Sequence, residues 1–200
     1  MANLENKTEK GVQTQLHIMN VALDLFKNLG YDNVSVDRIV KESKTSKGSF
    51  YQHFPSKSSI FMMRFMEMDE HYVHIYEELK QQHSLAIERL EAFCLAVFRC
   101  IEKELGKDLM RVIYSAAIIS NEHTFFTNEN RKLYVILRQI IEEGKKDSSI
   151  QNIDSTKAFF QVIVQSFMGA IYFWGLQLDD SKLEDLGKPL IKQLIMSLCL

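Results

Sequence analysis

Proline and cysteine are both scarce in this sequence. Two prolines in 200 residues leave long stretches free to form helices, because proline interrupts the helical hydrogen-bond pattern. Three cysteines, Cys94, Cys100 and Cys199, form neither an even set for disulfides nor the spacing of a metal site. We therefore expect free thiols and a cytoplasmic protein. The first fifteen residues agree with this, since they are polar and lack the apolar core of a secretory signal.

The motifs of common enzyme classes are also missing. The sequence contains no G-x-S-x-G nucleophile motif, no H-E-x-x-H zinc motif and no glycine-rich phosphate loop. His71 and His74 lie three residues apart among acidic neighbours, which would suit a metal, but a solvated charged helix face is the simpler interpretation. We therefore expect no catalytic residues, no metal site, no cofactor and no enzyme activity.

Positive charge is concentrated in one part of the sequence. Residues 1–60 contain eight basic and six acidic residues, a balance of +2, whereas the remainder contains 16 and 20, a balance of −4. Between Arg38 and Lys57 there are five basic residues and one acid, Glu42. A local basic patch on an acidic chain indicates a polyanionic partner that binds at one end.

Apolar residues recur at helical spacing through most of the chain. The spacing predicts an amphipathic helix over residues 18–29. Ser35 is placed to cap a second helix, and Ser46 a third, short helix that ends before Pro55. Helical periodicity then continues, and we place the start of the last helix at Pro189. Because no alternating β pattern is present, the predicted fold class is all-α.

One long apolar segment allows two interpretations. Residues 158–178 contain no formally charged side chain over 21 residues, which is long enough for a helix to cross a bilayer. Gln161, Gln165 and Gln177 interrupt this segment, and no second long apolar run accompanies it. A helix that is apolar on most sides also suits a soluble protein in which one face packs inside and another meets a partner. We favour this buried interface over a membrane-anchored protein.

The short helix after Ser46 combines large polar side chains with an apolar anchor. Residues 35–54 have the spacing of a helix-turn-helix, in which the second helix enters the major groove of DNA. Gly48 lets the backbone approach DNA, while Phe50 and Phe54 face the first helix of the motif. Donors for phosphates and base edges occupy the remaining face and the residues just after it: Lys47, Tyr51, Gln52, His53 and Lys57.

The segment around this motif resembles a known family. The stretch IMNVALDLFKNLGYDNVSVDRIVKESKTSKGSFYQHFPSKSSIF is similar to the N-terminal DNA-binding domain of the TetR-type bacterial transcriptional regulators. The similarity covers about residues 14–62. The pieces ALDLF, GYDNVSVDRIV and SKGSFYQHFPSK follow the family's order and spacing, and as a set they are highly specific.

The resemblance implies DNA contacts for ten residues. Lys47 and Gly48 would lie near base edges, and Tyr51, His53 and Lys57 would hold phosphates. Ser46, Ser49 and Gln52 would lie along the groove, Lys44 would add a phosphate contact, and Ser35 completes the set. The inter-helix turn departs from the family pattern, because Lys44 stands where a glycine is usual. A non-glycine residue in a left-handed conformation costs about 1 kcal/mol, so we expect a strained turn.

The resemblance also implies how the rest of the chain is organised. Residues 12–72 would form the DNA-binding domain, and residues 73–200 a helical ligand-binding and dimerisation domain. The expected function is that of a dimeric repressor that a small molecule releases from a palindromic operator. A DNA-bound structural or partner-recruiting protein without an effector is the alternative. A ligand that moves the fourth helix would change the separation of two recognition helices, which must lie about 34–36 Å apart.

Two sets of apolar residues have predicted roles in ligand binding and dimerisation. Aromatic and thioether side chains are expected to line an adaptable pocket for a small apolar or amphipathic ligand: Phe61, Met62, Phe65, Met66, Tyr72, Phe93, Phe98, Met110, Tyr114 and Phe125. Apolar side chains near the C-terminus are expected to form a four-helix bundle with a second chain: Phe160, Ile163, Phe167, Ile171, Trp174, Ile191, Leu194, Ile195 and Leu198.

Overall fold

The computed structural model describes the backbone of residues 2–119, 124–151, 153 and 155–198. The side chains of residues 2–8, 62, 116, 119, 124 and 125 lie outside this description, and so two predicted pocket residues, Met62 and Phe125, do too. Over the described residues the regular elements are all helices, which confirms the all-α prediction. The ten helices are α1 (Ala2–Leu29), α2 (Val36–Glu42), α3 (Lys47–His53), α4 (Ser59–Gln82), α5 (Ala86–Glu104), α6 (Gly106–Ile119), α7 (Thr124–Thr127), α8 (Lys132–Lys146), α9 (Thr156–Leu176) and α10 (Leu183–Met196).

The chain divides into two compact units. Unit 1 is Met1–Phe65 and unit 2 is Met66–Leu200, so the division falls inside α4. The domain boundary predicted after residue 72 lies in the same helix. Helix α1 is much longer than its apolar pattern suggested, since it begins at Ala2 rather than near residue 18. The polar residues that extend it toward the N-terminus carry no periodic apolar signal.

Unit 1 is built around aromatic side chains from α1, α3 and α4. Phe26 of α1 packs against Phe61 of α4, with ring centroids 5.3 Å apart, and the ring of Tyr31 contacts both. Phe50 and Phe54 are both buried, as their spacing predicted, and the centroids of their rings lie 5.7 Å apart. Since α3 is only seven residues long, this burial and its cap are what hold the helix in place.

Helix α5 forms the centre of unit 2. It packs against α6, α8 and α10 and buries apolar side chains along most of its length, among them Leu90, Phe93, Val97 and Phe98. Helix α10 approaches α5 closely at Gly187, where a Cβ atom would lie 2.2 Å from the Phe98 ring. Only glycine fits this contact without repacking.

The last helix begins earlier than predicted. Helix α10 starts at Leu183 and contains Pro189 in its interior, so the prediction of a helix start at that proline is wrong. Proline removes one backbone donor from a helix, yet burial of Leu183 and Ile191 on either side of it keeps the helix continuous. Tertiary packing therefore outweighs the tendency of Pro189 to interrupt a helix.

The predicted dimer residues of α9 and α10 lie inside the chain instead. Seven of the nine side chains are buried against their own subunit: Phe160, Ile163, Phe167, Ile171, Trp174, Ile191 and Leu198. Side chains buried within their own chain offer little surface to a partner, so the interface role predicted for these seven is not carried into the proposed dimer. Leu194 and Ile195 are half-buried, and their interface role stays a prediction.

Helix α9 is the one helix in the described part of the chain that is long and apolar enough to cross a membrane. It has 21 residues, and 28% of its most apolar 18-residue window is buried. A single helix of this kind is weak evidence for a membrane segment, because core helices of soluble proteins have the same length and composition. Its buried stripe packs on α6, α8 and α10, while its other faces stay open.

Candidate nucleic-acid interface

Two serines fix the starts of the helix-turn-helix helices. Ser35 has an extended backbone, and its hydroxyl accepts a hydrogen bond from the Arg38 amide at 3.2 Å. Ser46 does the same for the Ser49 amide at 3.0 Å. Each serine thus satisfies one of the backbone donors that a helix leaves open at its N-terminus. The helix starts that the sequence predicted are therefore present in the structure.

The turn between α2 and α3 is a tight helix-ending motif centred on Lys44. Lys44 has a φ of 52°, its amide donates to the Lys41 carbonyl, and the next amide, that of Thr45, donates to the Val40 carbonyl. This pair of hydrogen bonds around a left-handed residue is the Schellman pattern, which most often uses glycine. The turn therefore forms as the family pattern requires, with a lysine in the strained position.

Helix α3 presents one face inward and another to solvent. Phe50 is fully buried, whereas Lys47, Gly48 and Gln52 are exposed. Tyr51 is 53% exposed, although its ring touches the edge of Phe50 at 5.3 Å. Ser49 and His53 are half-buried at the border of the two faces. The predicted contact residues of this helix thus share one accessible surface.

Lys47 is engaged by an acid of the neighbouring helix. Its ammonium lies 2.6 Å from Oδ1 of Asp37 on α2, and both side chains are more than half exposed. The hydrogen bond from Lys47 to Asp37, followed by the attraction of the two charges, raises the pKa of Lys47. The lysine is therefore fully charged and points along the exposed surface of α2 and α3. Sequence analysis did not single out Asp37.

Lys57 has a different environment from the one predicted. Its ammonium donates to the backbone carbonyls of Tyr31 at 2.7 Å and Val34 at 2.9 Å. It also lies 3.8 Å from the centre of the Tyr31 ring. Burial lowers the pKa of Lys57, which Asp32 only partly offsets. The phosphate contact predicted for this lysine is not carried forward, because two of its three N–H donors already bind backbone carbonyls of the chain.

The geometry of residues 35–54 agrees with the result of a family comparison. The sequence model of the family described as "Bacterial regulatory proteins, tetR family" matches residues 18–62, which include α2, the turn and α3. In these residues the chain carries the DNA-binding domain of the TetR family. It is accordingly a DNA-binding transcriptional regulator with a helix-turn-helix.

The curated relatives with the higher identities match over a short stretch of the chain. The uncharacterized HTH-type transcriptional regulator YuxN of Bacillus subtilis is 49% identical over 45 residues, which is 22% of this chain and 16% of that protein. The HTH-type transcriptional regulator AcrR of Shigella flexneri is 37% identical over 59 residues, 29% of this chain and 27% of that protein. The regulator SAB2452 of Staphylococcus aureus is 24% identical over 165 residues, 76% of this chain and 83% of that protein.

Solved structures extend the similarity to the whole fold. FadR from Bacillus subtilis in complex with stearoyl-CoA has a TM-score of 0.72 at 19% identity, covering 91% of this chain and 98% of its own. FadR from Thermus thermophilus in complex with lauroyl-CoA has a TM-score of 0.68 at 15% identity, covering 93% and 95%. At this identity the likeness shows the fold alone, and it assigns no ligand to unit 2.

Unit 2 contains an open apolar cleft between α6 and α9. Its volume is about 390 Å³. The side chain of Arg111 borders it and donates to the carbonyls of Gly175 and Gln177 at the end of α9. The lining residues are Met110, Arg111, Tyr114, Ser115, Ile118, Ile171, Tyr172, Gly175, Leu176 and Leu178.

Most of the predicted pocket residues lie outside this cleft. Met110 and Tyr114 line it, as the pattern of aromatic and thioether residues suggested. Five others are buried and are not among the residues that line this cleft, so their pocket role stays a prediction: Phe61, Phe65, Tyr72, Phe93 and Phe98. Met66 is largely exposed on α4 and does not line the cleft either. Sequence periodicity cannot separate a core residue from a pocket residue, because both face inward.

Proposed function

We propose that this regulator is a dimeric repressor that leaves its operator when an amphipathic acyl ligand binds the cleft of unit 2. The DNA-binding part of this proposal rests on one observation: helix α3 exposes polar donors on the face opposite the buried Phe50. Two such helices related by a two-fold axis would contact successive major grooves. Repression by occupancy of the operator is the simplest consequence of such binding.

We propose that nine of the ten predicted residues contact DNA. Lys47 is suited to a guanine edge, since long donors in the first turn of a recognition helix reach bases. A Cβ atom at Gly48 would lie 3.8 Å from the nearest heavy atom, the Ser46 hydroxyl oxygen, so the protein itself does not require glycine there. Close approach of DNA explains it instead. The other contacts, to phosphates and groove edges, would come from Ser35, Lys44, Ser46, Ser49, Tyr51, Gln52 and His53.

The chemistry of the cleft supports a ligand with a long apolar part and an anionic group. Ile118, Ile171 and Leu176 provide an apolar lining, and Arg111 supplies a cation at its border. The hydrogen bonds of Arg111 to Gly175, Gln177 and Asp108 use three of the five N–H groups of a guanidinium. Two proteins of similar fold hold stearoyl-CoA and lauroyl-CoA. We therefore propose a fatty acyl thioester as the ligand class.

A continuous set of contacts joins the cleft to α4. The ring of Tyr114, which lines the cleft, lies 5.8 Å from the ring of Phe126 on α7. The Tyr134 hydroxyl of α8 donates to the Phe126 carbonyl at 2.9 Å, and the Tyr134 ring lies 5.0 Å from the Arg131 guanidinium. Arg131 in turn binds Asp69 on α4. We propose that a ligand acts on α4, the helix that follows α3, through these contacts.

The dimer that we propose uses the open face of α9 rather than the buried one. Exposed residues in the first two thirds of the helix are spaced alternately four and three apart, as in the seam of a coiled coil: Ala158, Val162, Gln165 and Gly169. The small Ala158 and Gly169 permit close helix approach, and beyond them the same face of the helix, at Tyr172 and Leu176, lines the cleft. Two copies of α9, flanked by α10, would form a four-helix bundle.

The test is ligand-dependent release from an operator selected out of random DNA. Fluorescence anisotropy should show specific binding that palmitoyl-CoA weakens and that free coenzyme A leaves unchanged. Ser115→Trp fills the cleft and should abolish the response while DNA binding stays intact, whereas the matched Ser115→Ala should respond normally. If palmitoyl-CoA has no effect on the wild-type protein, the acyl ligand is excluded and a regulator without this effector is favoured.

A further inference from the structure

Lys57 joins the two chain segments that flank the helix-turn-helix. It belongs to the connection between α3 and α4, only four residues after His53 ends α3. Its two acceptors, the carbonyls of Tyr31 and Val34, belong to the connection between α1 and α2. One ammonium group therefore ties the segment that enters the motif to the segment that leaves it.

The segment from residue 30 to residue 35 leads directly from the end of α1 to the cap of α2. Gly30, with a φ of 80°, ends α1, and the Val34 amide donates to the Tyr31 carbonyl to form a short turn. Val34 is fully buried, and the next residue, Ser35, is the cap of α2. A shift of the Val34 carbonyl would therefore move the start of α2 directly, and α3 with it through the turn at Lys44.

The seat of Lys57, by which we mean the two carbonyl oxygens and the Tyr31 ring around its ammonium, suits a cation. The two carbonyl oxygens accept from the ammonium, and the face of the Tyr31 ring lies 3.8 Å from it, within the range of a cation–π interaction. The Tyr31 ring is held in turn by Phe26 and Phe61. A lysine that moved to a phosphate would leave the Val34 carbonyl without this partner in a partly buried position, which is unfavourable.

We infer that Lys57 is a positioning residue for the recognition helix and does not act as an ion-pair partner of the DNA backbone. It fixes the orientation of α2 and α3 by holding together the connections on both sides of them. Its removal lowers DNA affinity because the recognition face is presented less accurately. The number of phosphates that the protein neutralises stays the same.

Salt dependence separates the two roles. Each lost phosphate contact lowers the slope of log affinity against log salt concentration by about one unit. Lys57→Met keeps the aliphatic stem and removes the donors, so we expect weaker operator binding, by about tenfold or more, with an unchanged slope. Amide hydrogen exchange of Val34 and its neighbours should also become faster, because the segment loses its anchor. The comparison variant is Lys44→Met, an exposed lysine of the same surface, whose slope should fall.

A second variant keeps the inference testable if Lys57→Met does not fold. Lys57→Arg retains the charge and reaches phosphates at least as well, but a planar guanidinium does not fit a seat of two carbonyls and one ring face. We expect it to lose operator affinity and to show faster exchange at Val34. A slope that falls by about one unit in Lys57→Met, or full operator affinity in Lys57→Arg, would overturn the inference.

Discussion

Arg131 and Asp69 form a two-point ion pair inside unit 2. Nη2 of Arg131 lies 2.8 Å from Oδ1 of Asp69, and Nε lies 3.2 Å from Oδ2. The two side chains are only 6% and 8% exposed. The pair joins the middle of α4 to the residue that precedes α8, at the end of the contacts that run from the cleft. A buried pair of this kind restricts α4 to arrangements in which both charges stay matched.

Loss of one partner of this pair should be strongly destabilising. Asp69→Asn leaves the guanidinium of Arg131 buried without its counter-charge, so we expect the free energy of unfolding to fall by about 3–5 kcal/mol. Urea denaturation followed by circular dichroism measures it. The control is the adjacent Glu70→Gln, which breaks the exposed pair with Lys132 and should change stability by less than about 1 kcal/mol. Equal losses in the two variants would contradict the role given to burial.

Replacement of Lys44 by glycine should preserve or raise the stability of the protein and should weaken its DNA binding. Lys44→Gly removes a side chain from a left-handed position, which relieves about 1 kcal/mol of strain, offset in part by the greater freedom of glycine in the unfolded chain. We therefore expect an unchanged or higher free energy of unfolding, measured by urea denaturation.

The same variant should bind DNA less tightly at all sequences. If the exposed ammonium contacts a phosphate, its loss lowers the salt slope by about one unit. Lys44→Asn serves as the control, since asparagine tolerates the left-handed conformation and also lacks the charge. If the slope of log affinity against log salt concentration equals the wild-type value in both variants, Lys44 does not contact a phosphate.

The helix-turn-helix could be predicted from sequence because its signals are local. Ser35 and Ser46 cap the helices that follow them, and Phe50 with Phe54 marks the buried face of α3. Each of these features depends on residues within a few positions of one another. The seat of Lys57 could not be predicted in the same way, because its acceptors lie 26 and 23 residues away in the chain.

The faces of α9 could not be assigned from sequence for a different reason. Both faces are apolar: Phe167 and Ile171 lie on one, and Val162, Tyr172 and Leu176 on the other. Periodicity shows that a helix has apolar stripes, but it does not show which stripe meets the chain's own core. Only the packing of α6, α8 and α10 decides this, and it buries the more aromatic stripe.

Base discrimination should depend on Lys47 and on the acid that holds it. Lys47→Ala should relax the preference at one base pair in each half-site, with a loss of about 1–3 kcal/mol of discrimination. Asp37→Asn frees the ammonium and removes a negative charge beside the DNA surface. We expect it to raise affinity for random DNA more than affinity for the operator.

Competition binding with operator and random duplexes measures both effects. Glu42→Gln removes the same charge from the far end of α2, where no ion pair with Lys47 exists in the structure, and is the matched control. If Asp37→Asn and Glu42→Gln change discrimination equally, only net charge matters, and the specific role of Asp37 is lost.

The two apolar stripes of α9 should respond differently to substitution. Val162 is 43% exposed on the seam that we propose for the dimer, so Val162→Glu should leave the chain folded and place a charge between two subunits. We expect a soluble monomer with normal helical content and greatly reduced affinity for a palindromic operator. Phe167 is 4% exposed and its ring lies 4.9 Å from Phe98, so Phe167→Ala should instead lower the free energy of unfolding by about 3–5 kcal/mol.

Light scattering together with thermal unfolding separates these outcomes, because one reports the mass of the particle and the other the stability of the fold. In Val162→Glu the mass should halve, whereas in Phe167→Ala the melting temperature should fall while the folded fraction remains dimeric. The contrast follows from the location of each side chain, since a charge at an exposed seam weakens association and a cavity in the core weakens the subunit itself. A Val162→Glu protein that keeps the wild-type mass would show that the subunits meet through another surface.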